Sequence, residues 1–236
     1  MSLTILMRVK PISRLRKPVA YFFVVLILAA HLGGECFADD IGEFEYWTTA
    51  GASFDIEKNW RVCVDELLKL GDDGRKFTYH HTDLGFVYQG LADWVDLGFN
   101  YRHAFGRYGP SDWRQERRPH VNVTFKSRLG EIEISDRSRL EYRDKDYARD
   151  QWRYTNKLTL KLPCEFTKWK MRPCFADQVY IDLDGYVLSK NKVYSGFSFE
   201  LSEDVVGALH YVWDSDRTYG KWRNTNILWL QLRFYF

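Results

Sequence analysis

The residues best equipped for chemistry are His80, His81 and Asp83, set in His80-His81-Thr82-Asp83. A histidine supplies a general base near neutral pH, and a carboxylate orients it. In extended chain, neighbouring side chains point to opposite faces. His80 and His81 therefore cannot share one substrate or one metal ion, whereas His81 and Asp83 lie on the same face. No Gly-x-Ser-x-Gly nucleophile motif accompanies them. There is also no phosphate-cradling glycine loop, no dinucleotide fingerprint and no second cluster with ligand spacing. The expectation is no metal and no cofactor. Any catalytic role falls to His81 and Asp83 alone, as a hydrolase site at the rim of a barrel.

A larger set of ionisable residues recurs at every second position. By parity it comprises Arg61, Asp65, Lys69, His81, Asp83, Asp96, Arg102, Lys126, Arg128, Glu133, Arg137, Arg139, Glu141, Arg143, Arg153, Lys157, Lys161, Glu200 and Arg233. Both signs are interspersed. Enclosed together, these groups form either a charge network that staples a barrel wall or the lining of a narrow polar channel. In the second case the basic excess over 119–162 would set its selectivity.

The elements that carry these residues follow from period two, which runs through the chain after residue 40 with no sustained helical period. Segments are expected near 44–56, 59–70, 77–89, 94–106, 119–129, 131–144, 150–162, 172–184, 192–202, 205–214 and 223–236. Most exceed the five or six residues of an average soluble strand and suit a tilted membrane-crossing strand of about 9–11 residues. In 150–162, Trp152, Tyr154, Asn156, Leu158, Leu160 and Leu162 oppose Gln151, Arg153, Thr155, Lys157, Thr159 and Lys161, and in 131–144 the apolar face is shared with Asp136 and Ser138. In 94–106, Val95, Leu97, Phe99 and Tyr101 oppose Asp96, Gly98, Asn100 and Arg102. Such stripes fit a soluble barrel with its apolar face inward, or a membrane barrel with that face outward.

Three features favour the membrane barrel. Leu228, Leu230, Leu232, Phe234 and Phe236 form one face of the last segment, a pattern that resembles the signal outer-membrane proteins present to barrel-insertion machinery. Trp60, Trp94 and Trp169 fall at one set of segment ends and Trp113, Trp152 and Trp222 at the other, as two aromatic girdles require. Short links near 57–58, 90–93, 130, 163–168 and 203–204 alternate with more polar links near 71–76, 107–118, 145–149, 185–191 and 215–222. The link 107–118 is expected to be the longest, with Arg107, Arg114, Arg117 and Arg118 solvated or against anionic lipopolysaccharide.

Composition bounds the rest. The 236 residues include 9 Trp, 15 Tyr and 16 Phe, too apolar for a disordered chain, and only 4 Cys, too few for a disulfide scaffold. A net charge of +2 gives no argument for nucleic acid. Residues 1–38 read as a cleaved secretory signal peptide: five basic side chains from Arg8 to Lys17, an apolar run from Val19 to Ala30, and a small-residue exit at Ala38. Removing them leaves one domain, 39–236, with 29 basic and 31 acidic residues and net charge −2. Of its three cysteines, Cys164 and Cys174 are the one close pair that could bridge.

Particular runs carry a resemblance. They are His80-His81-Thr82-Asp83-Leu84-Gly85, Gly98-Phe99-Asn100-Tyr101-Arg102, Arg118-Pro119-His120-Val121-Asn122, Ser138-Arg139-Leu140-Glu141-Tyr142-Arg143, Trp152-Arg153-Tyr154-Thr155-Asn156-Lys157-Leu158 and Asn224-Thr225-Asn226-Ile227-Leu228. Over about 60–236 the chain resembles the bacterial family named domain of unknown function 2490, whose members look like outer-membrane β-barrels. The resemblance implies a fold and a location, and no catalytic residues.

The expectation is an all-β, antiparallel, up-and-down transmembrane barrel of about 10–12 strands in the bacterial outer membrane. Its partners would be outer-membrane lipid and lipopolysaccharide, with insertion machinery during biogenesis and no nucleic acid. It would be structural or a narrow solute channel; the alternatives are the rim hydrolase and a soluble periplasmic barrel around an apolar ligand. Eleven segments conflict with the even strand number usual in such barrels. A missed strand, or a plug or non-spanning edge formed by 39–56, would reconcile them.

Overall fold

The computed structural model describes residues 44–108, 112–218 and 220–236. The expected signal peptide at 1–38 lies outside them. The described chain is eleven β-strands closed into one barrel: β1 (Phe44–Glu57), β2 (Trp60–Gly71), β3 (Lys76–Ala92), β4 (Val95–Arg107), β5 (Trp113–Leu129), β6 (Ile132–Lys145), β7 (Gln151–Lys161), β8 (Arg172–Asp182), β9 (Val187–Ser202), β10 (Val205–Thr218) and β11 (Lys221–Tyr235). Each segment expected from the period-two pattern corresponds to one strand.

An odd number of strands, each antiparallel to the next, makes the closing pair parallel. Consecutive strands pair antiparallel, while β1 and β11 run parallel, with Trp47 opposite Trp229 and Gly51 opposite Arg233. The up-and-down expectation thus holds everywhere but at this seam. Among the described residues there is no twelfth strand, and β1 is a full member of the wall rather than a plug or free edge. Full closure leaves no unpaired sheet edge.

Connections depart from expectation in three places. Links at one end are two residues long at 58–59, 93–94, 130–131 and 203–204. Gly130 fits its tight turn through a φ of 58°, a left-handed conformation that glycine adopts without penalty. The link 162–171 at that same end is the longest in the barrel and carries a small bridge between Phe166 and Met171. The link expected over 107–118 shrinks to 108–112, because β5 begins at Trp113 and runs through Pro119. Proline cannot donate to a ladder, and the β5–β6 pairing skips 118 and 119 between Arg117–Asp144 and His120–Glu141. Finally, 215–222 is mostly strand, with only 219–220 as link.

The two faces sort by parity over most of the wall, although Glu66, Asp136 and Asp177 share the outer one. Leu84, Phe86, Phe99, Tyr101, Val121 and Phe125 lie outward on β3–β5 and remain 43–52% exposed. Asp83, Arg118, His120 and Glu141 lie inward, each 8% exposed or less. The six tryptophans expected at the strand ends are all exposed there: Trp60, Trp94 and Trp169 at the end with two-residue turns, Trp113, Trp152 and Trp222 at the other. The three cysteines among the described residues are free thiols; Cys174 is buried and Cys164 exposed, and they do not bridge. An apolar cluster sits inside the barrel, built from Trp47, Leu67, Ala176, Tyr194, Val212 and Ile227.

Candidate functional site: the charged interior

The interior is laid out in cross-strand rows, because pairing places inward residues of neighbouring strands side by side. One row runs His120–Glu141–Arg153–Asp182 over β5 to β8. Glu141, 1% exposed, is its centre: Arg153 donates to its carboxylate, and Arg139 lies 3.9 Å away. A second row runs Arg233–Gly51–Asp65–Asp83–Arg102–Arg118. Arg102 donates to Asp83 at 2.7 Å, and Arg233 to Asp65 at 2.5 Å. Gly51 is required between the last two, since a Cβ there would meet the Asp65 carboxylate and come within 3.2 Å of Arg233. A third row runs Asp96–Thr124–Arg137–Lys157–Gln178–Lys192–Asp214. Near the end with more polar links, Glu116 accepts from Arg118 at 2.8 Å, from Arg143 at 2.9 Å and from Tyr147. Burial and the bond to Glu116 raise the Tyr147 phenol above its usual range, so it stays a donor.

These rows enclose a cavity of about 650 Å³. Thirteen basic side chains line it against five acidic ones. Among its walls are the expected Arg61, Asp65, Lys69, His81, Asp83, Asp96, Arg102, Arg137, Arg139, Arg143, Arg153, Lys157 and Arg233. Glu141 stands behind this lining, buried beneath its arginines. Other expected members sit at the two-residue-turn end, away from the cavity. Arg128 is exposed, Lys126 pairs with Asp96 at 2.8 Å, Glu133 binds Arg172 at 2.9 Å, Lys161 lies 3.6 Å from Glu133, and Glu200 pairs with Lys170 at 2.7 Å. Parity alone does not report height along the barrel.

Parity reasoning stopped short of several interior residues. Arg118 falls in the expected link 107–118, whereas β5 runs through it and Pro119. Lys190 fell in an expected link that is part of β9. Glu116, His120, Lys192, His210 and Asp214 share the buried interior; the last four lie within expected segments, on the polar parity, and Glu116 lies three residues before one.

The histidines separate as their parity requires. His81 faces inward, its Nδ1 3.1 Å from the Tyr79 hydroxyl, and no hydrogen bond joins it to Asp83 among the described residues. Asp83 instead accepts from Asn100 and Arg102, with His120 Nε2 at 3.6 Å. His80, on the outer face, has a closer carboxylate, with Nδ1 3.2 Å from Glu66. Its ring stacks on Phe105 at 4.8 Å, and Thr82 donates to the other Glu66 oxygen. No serine, threonine or cysteine hydrogen-bonds to His80 among the described residues, so this pair lacks a nucleophile.

The family model described as "Protein of unknown function (DUF2490)" matches residues 44–225, from the first strand into the last. The chain belongs to this family. Comparisons with curated proteins and with solved structures give no match. Membership in the DUF2490 family agrees with the resemblance read from the strand motifs and carries no assigned activity, so any function has to be argued from the interior itself.

Proposed function

We propose that this DUF2490 protein is a bacterial outer-membrane β-barrel whose charged interior forms a narrow path for small solutes. The observation that carries the reading is the sorting of faces. Phe99, Tyr101, Val121 and Phe125 are neighbours on one outer patch and about half exposed. A water-soluble protein rarely leaves so continuous an apolar surface bare. Hydrocarbon accepts that surface and demands a closed barrel with every backbone group paired. Exposed tryptophans at both strand ends supply the interfacial anchors. A soluble barrel around an apolar ligand calls for the opposite arrangement, and a hydrolase at His81 and Asp83 calls for contact between them. In this reading the signal peptide at 1–38 directs export, the alternate apolar face of β11 is what the insertion machinery grips, and the outer rim meets lipopolysaccharide.

Cysteine variants labelled from the bilayer phase test the assignment. Phe99→Cys and Leu158→Cys are expected to react with a lipid-dissolved thiol reagent, and Arg153→Cys and Lys157→Cys to stay unlabelled. The reverse pattern would mean the barrel is inside out to this reading. Unboiled protein should also migrate anomalously on a detergent gel and shift on heating.

A further inference from the structure

We infer that the interior holds a binding site for a compact solute carrying two or more oxyanion charges, formed by Lys69, Lys157, Lys192 and Arg137. This deepens the reading above, since it names the class of solute for which the interior is built.

The argument starts from how these cations are held. A buried cation ordinarily takes a carboxylate partner. Among the described residues no carboxylate lies within ion-pair distance of Lys69, Lys157 or Arg137, whereas the neighbouring Arg102, Arg118, Arg143 and Arg153 each have one. Lys192 reaches only Asp214, at 3.3 Å, and Lys190 claims the same carboxylate at the same distance. The ammonium groups rest on aromatic faces instead. Lys69 lies 3.6 Å from the Trp47 ring centroid and 4.5 Å from that of Tyr79; Lys192 lies 4.0 Å from Trp47, and Lys157 4.1 Å from Tyr194. A ring quadrupole fixes a cation in place without cancelling its charge. The result is three lysines and one arginine gathered in one interior with no carboxylate in ion-pair reach, among the described residues, beyond the Asp214 that Lys192 shares with Lys190.

Topology brings them to one place. Arg137 and Lys157 are direct cross-strand partners, and Gln178 alone separates Lys157 from Lys192. Lys69 arrives from across the barrel, because Trp47 is contacted by both it and Lys192. All four line the same cavity of about 650 Å³. Beside them, the hydroxyl of Thr155, 3% exposed and opposite Arg139, has no hydrogen-bond partner among the described residues. An anion with several acceptor oxygens meets this set: charge for the ammonium and guanidinium groups, and acceptors for their N–H bonds. The barrel wall separates the cavity from lipid, so the ligand is a free solute rather than a headgroup.

Trp47 touches two of the four cations and so reports on the site. Full-length protein, refolded in detergent and verified by its heat-shifted band, would be titrated with pyrophosphate, citrate or spermidine, following tryptophan fluorescence and calorimetric heat. Saturable binding of pyrophosphate, of citrate or of both is expected, falling about ten-fold or more in Lys157→Gln and in Arg137→Gln. Pyrophosphate alone would assign a phosphoryl ligand, citrate alone a carboxylate one. Lys126→Gln, at the rim, should bind as the parent does. Where Arg137→Gln yields no heat-shifted band, Lys157→Gln with Lys157→Arg rescue decides. Failure of a folded protein to bind either anion at millimolar concentration, undiminished binding in Lys157→Gln, or preference for spermidine would overturn the site. None of these touches the membrane assignment, which the labelling pattern tests separately.

Discussion

Glu141 shows how one residue organises an interior. It is 1% exposed, accepts from Arg153 and lies within ion-pair reach of Arg139. Desolvating a carboxylate is costly, and only charge-assisted hydrogen bonds of good geometry offset it. Removing one partner is worse than removing both, because the survivor stays buried and uncompensated. Glu141→Gln is therefore expected to destabilise the folded barrel by about 3–5 kcal/mol, and Glu141→Met with Arg153→Met by much less. Urea unfolding in detergent, followed by loss of the heat-shifted band, measures both; equal losses would show that Glu141 is not the hub. Its interior position was legible from alternation alone, since Glu141 shares its face with Arg139 and Arg143. Arg118 was not, because it falls in the expected link 107–118. The lysine–aromatic contacts were invisible for a different reason: Trp47, Lys69 and Lys192 lie on β1, β2 and β9, and no local pattern says that these meet across a lumen.

At the level of elements, the seam between β1 and β11 decides closure. Its partners are far apart in sequence and run parallel, so no hairpin fixes their register; side chains have to. On the inner face Trp47 meets Trp229 edge-on at 5.3 Å, and the Trp229 indole donates to Thr49 at 2.9 Å. Arg233 then reaches over Gly51 to Ser53 and Asp65. On the outer side Phe54 stacks on Phe236 at 4.7 Å. A methyl group at 51 would push the Asp65 carboxylate away from the guanidinium. Gly51→Ala is expected to cost about 1–3 kcal/mol, seen as a lower temperature for the gel shift, while Ala50→Gly, on the opposite face of the strand from the pair, should lack this effect on Arg233. Strand existence was readable because a two-residue period is a direct image of a pleated wall. The parallel closure was not, since pairing between the first and last strands leaves no trace in either one alone. For the same reason the odd count looked like an error in the sequence and is a property of the fold.

For the molecule as a whole, the question is whether the interior is a conduit or a closed compartment. Thirteen basic and five acidic side chains face the cavity, with Glu116, Glu141 and Asp214 buried among them. The surplus is positive although the barrel domain as a whole is expected to be slightly acidic. Low-dielectric walls focus such a field, so the surplus governs which ions enter more than the net charge of the protein does. The apolar cluster around Trp47, Tyr194 and Val212 narrows the same space. Conductance in planar bilayers is therefore expected to come in small discrete steps that favour chloride over potassium. Arg137→Gln should move the reversal potential toward cation permeation without abolishing the steps, because it removes fixed charge and leaves the wall paired. Arg153→Gln should do the same in a less stable barrel, because it leaves the buried Glu141 without its main partner. Steps that favour potassium in the parent protein would mean that the buried acids, not the lining cations, set the field. A silent bilayer from protein that still shows the heat-shifted band would make the interior a compartment, in which bound anion waits on a rearrangement of the Glu116 and Glu141 networks before it can leave.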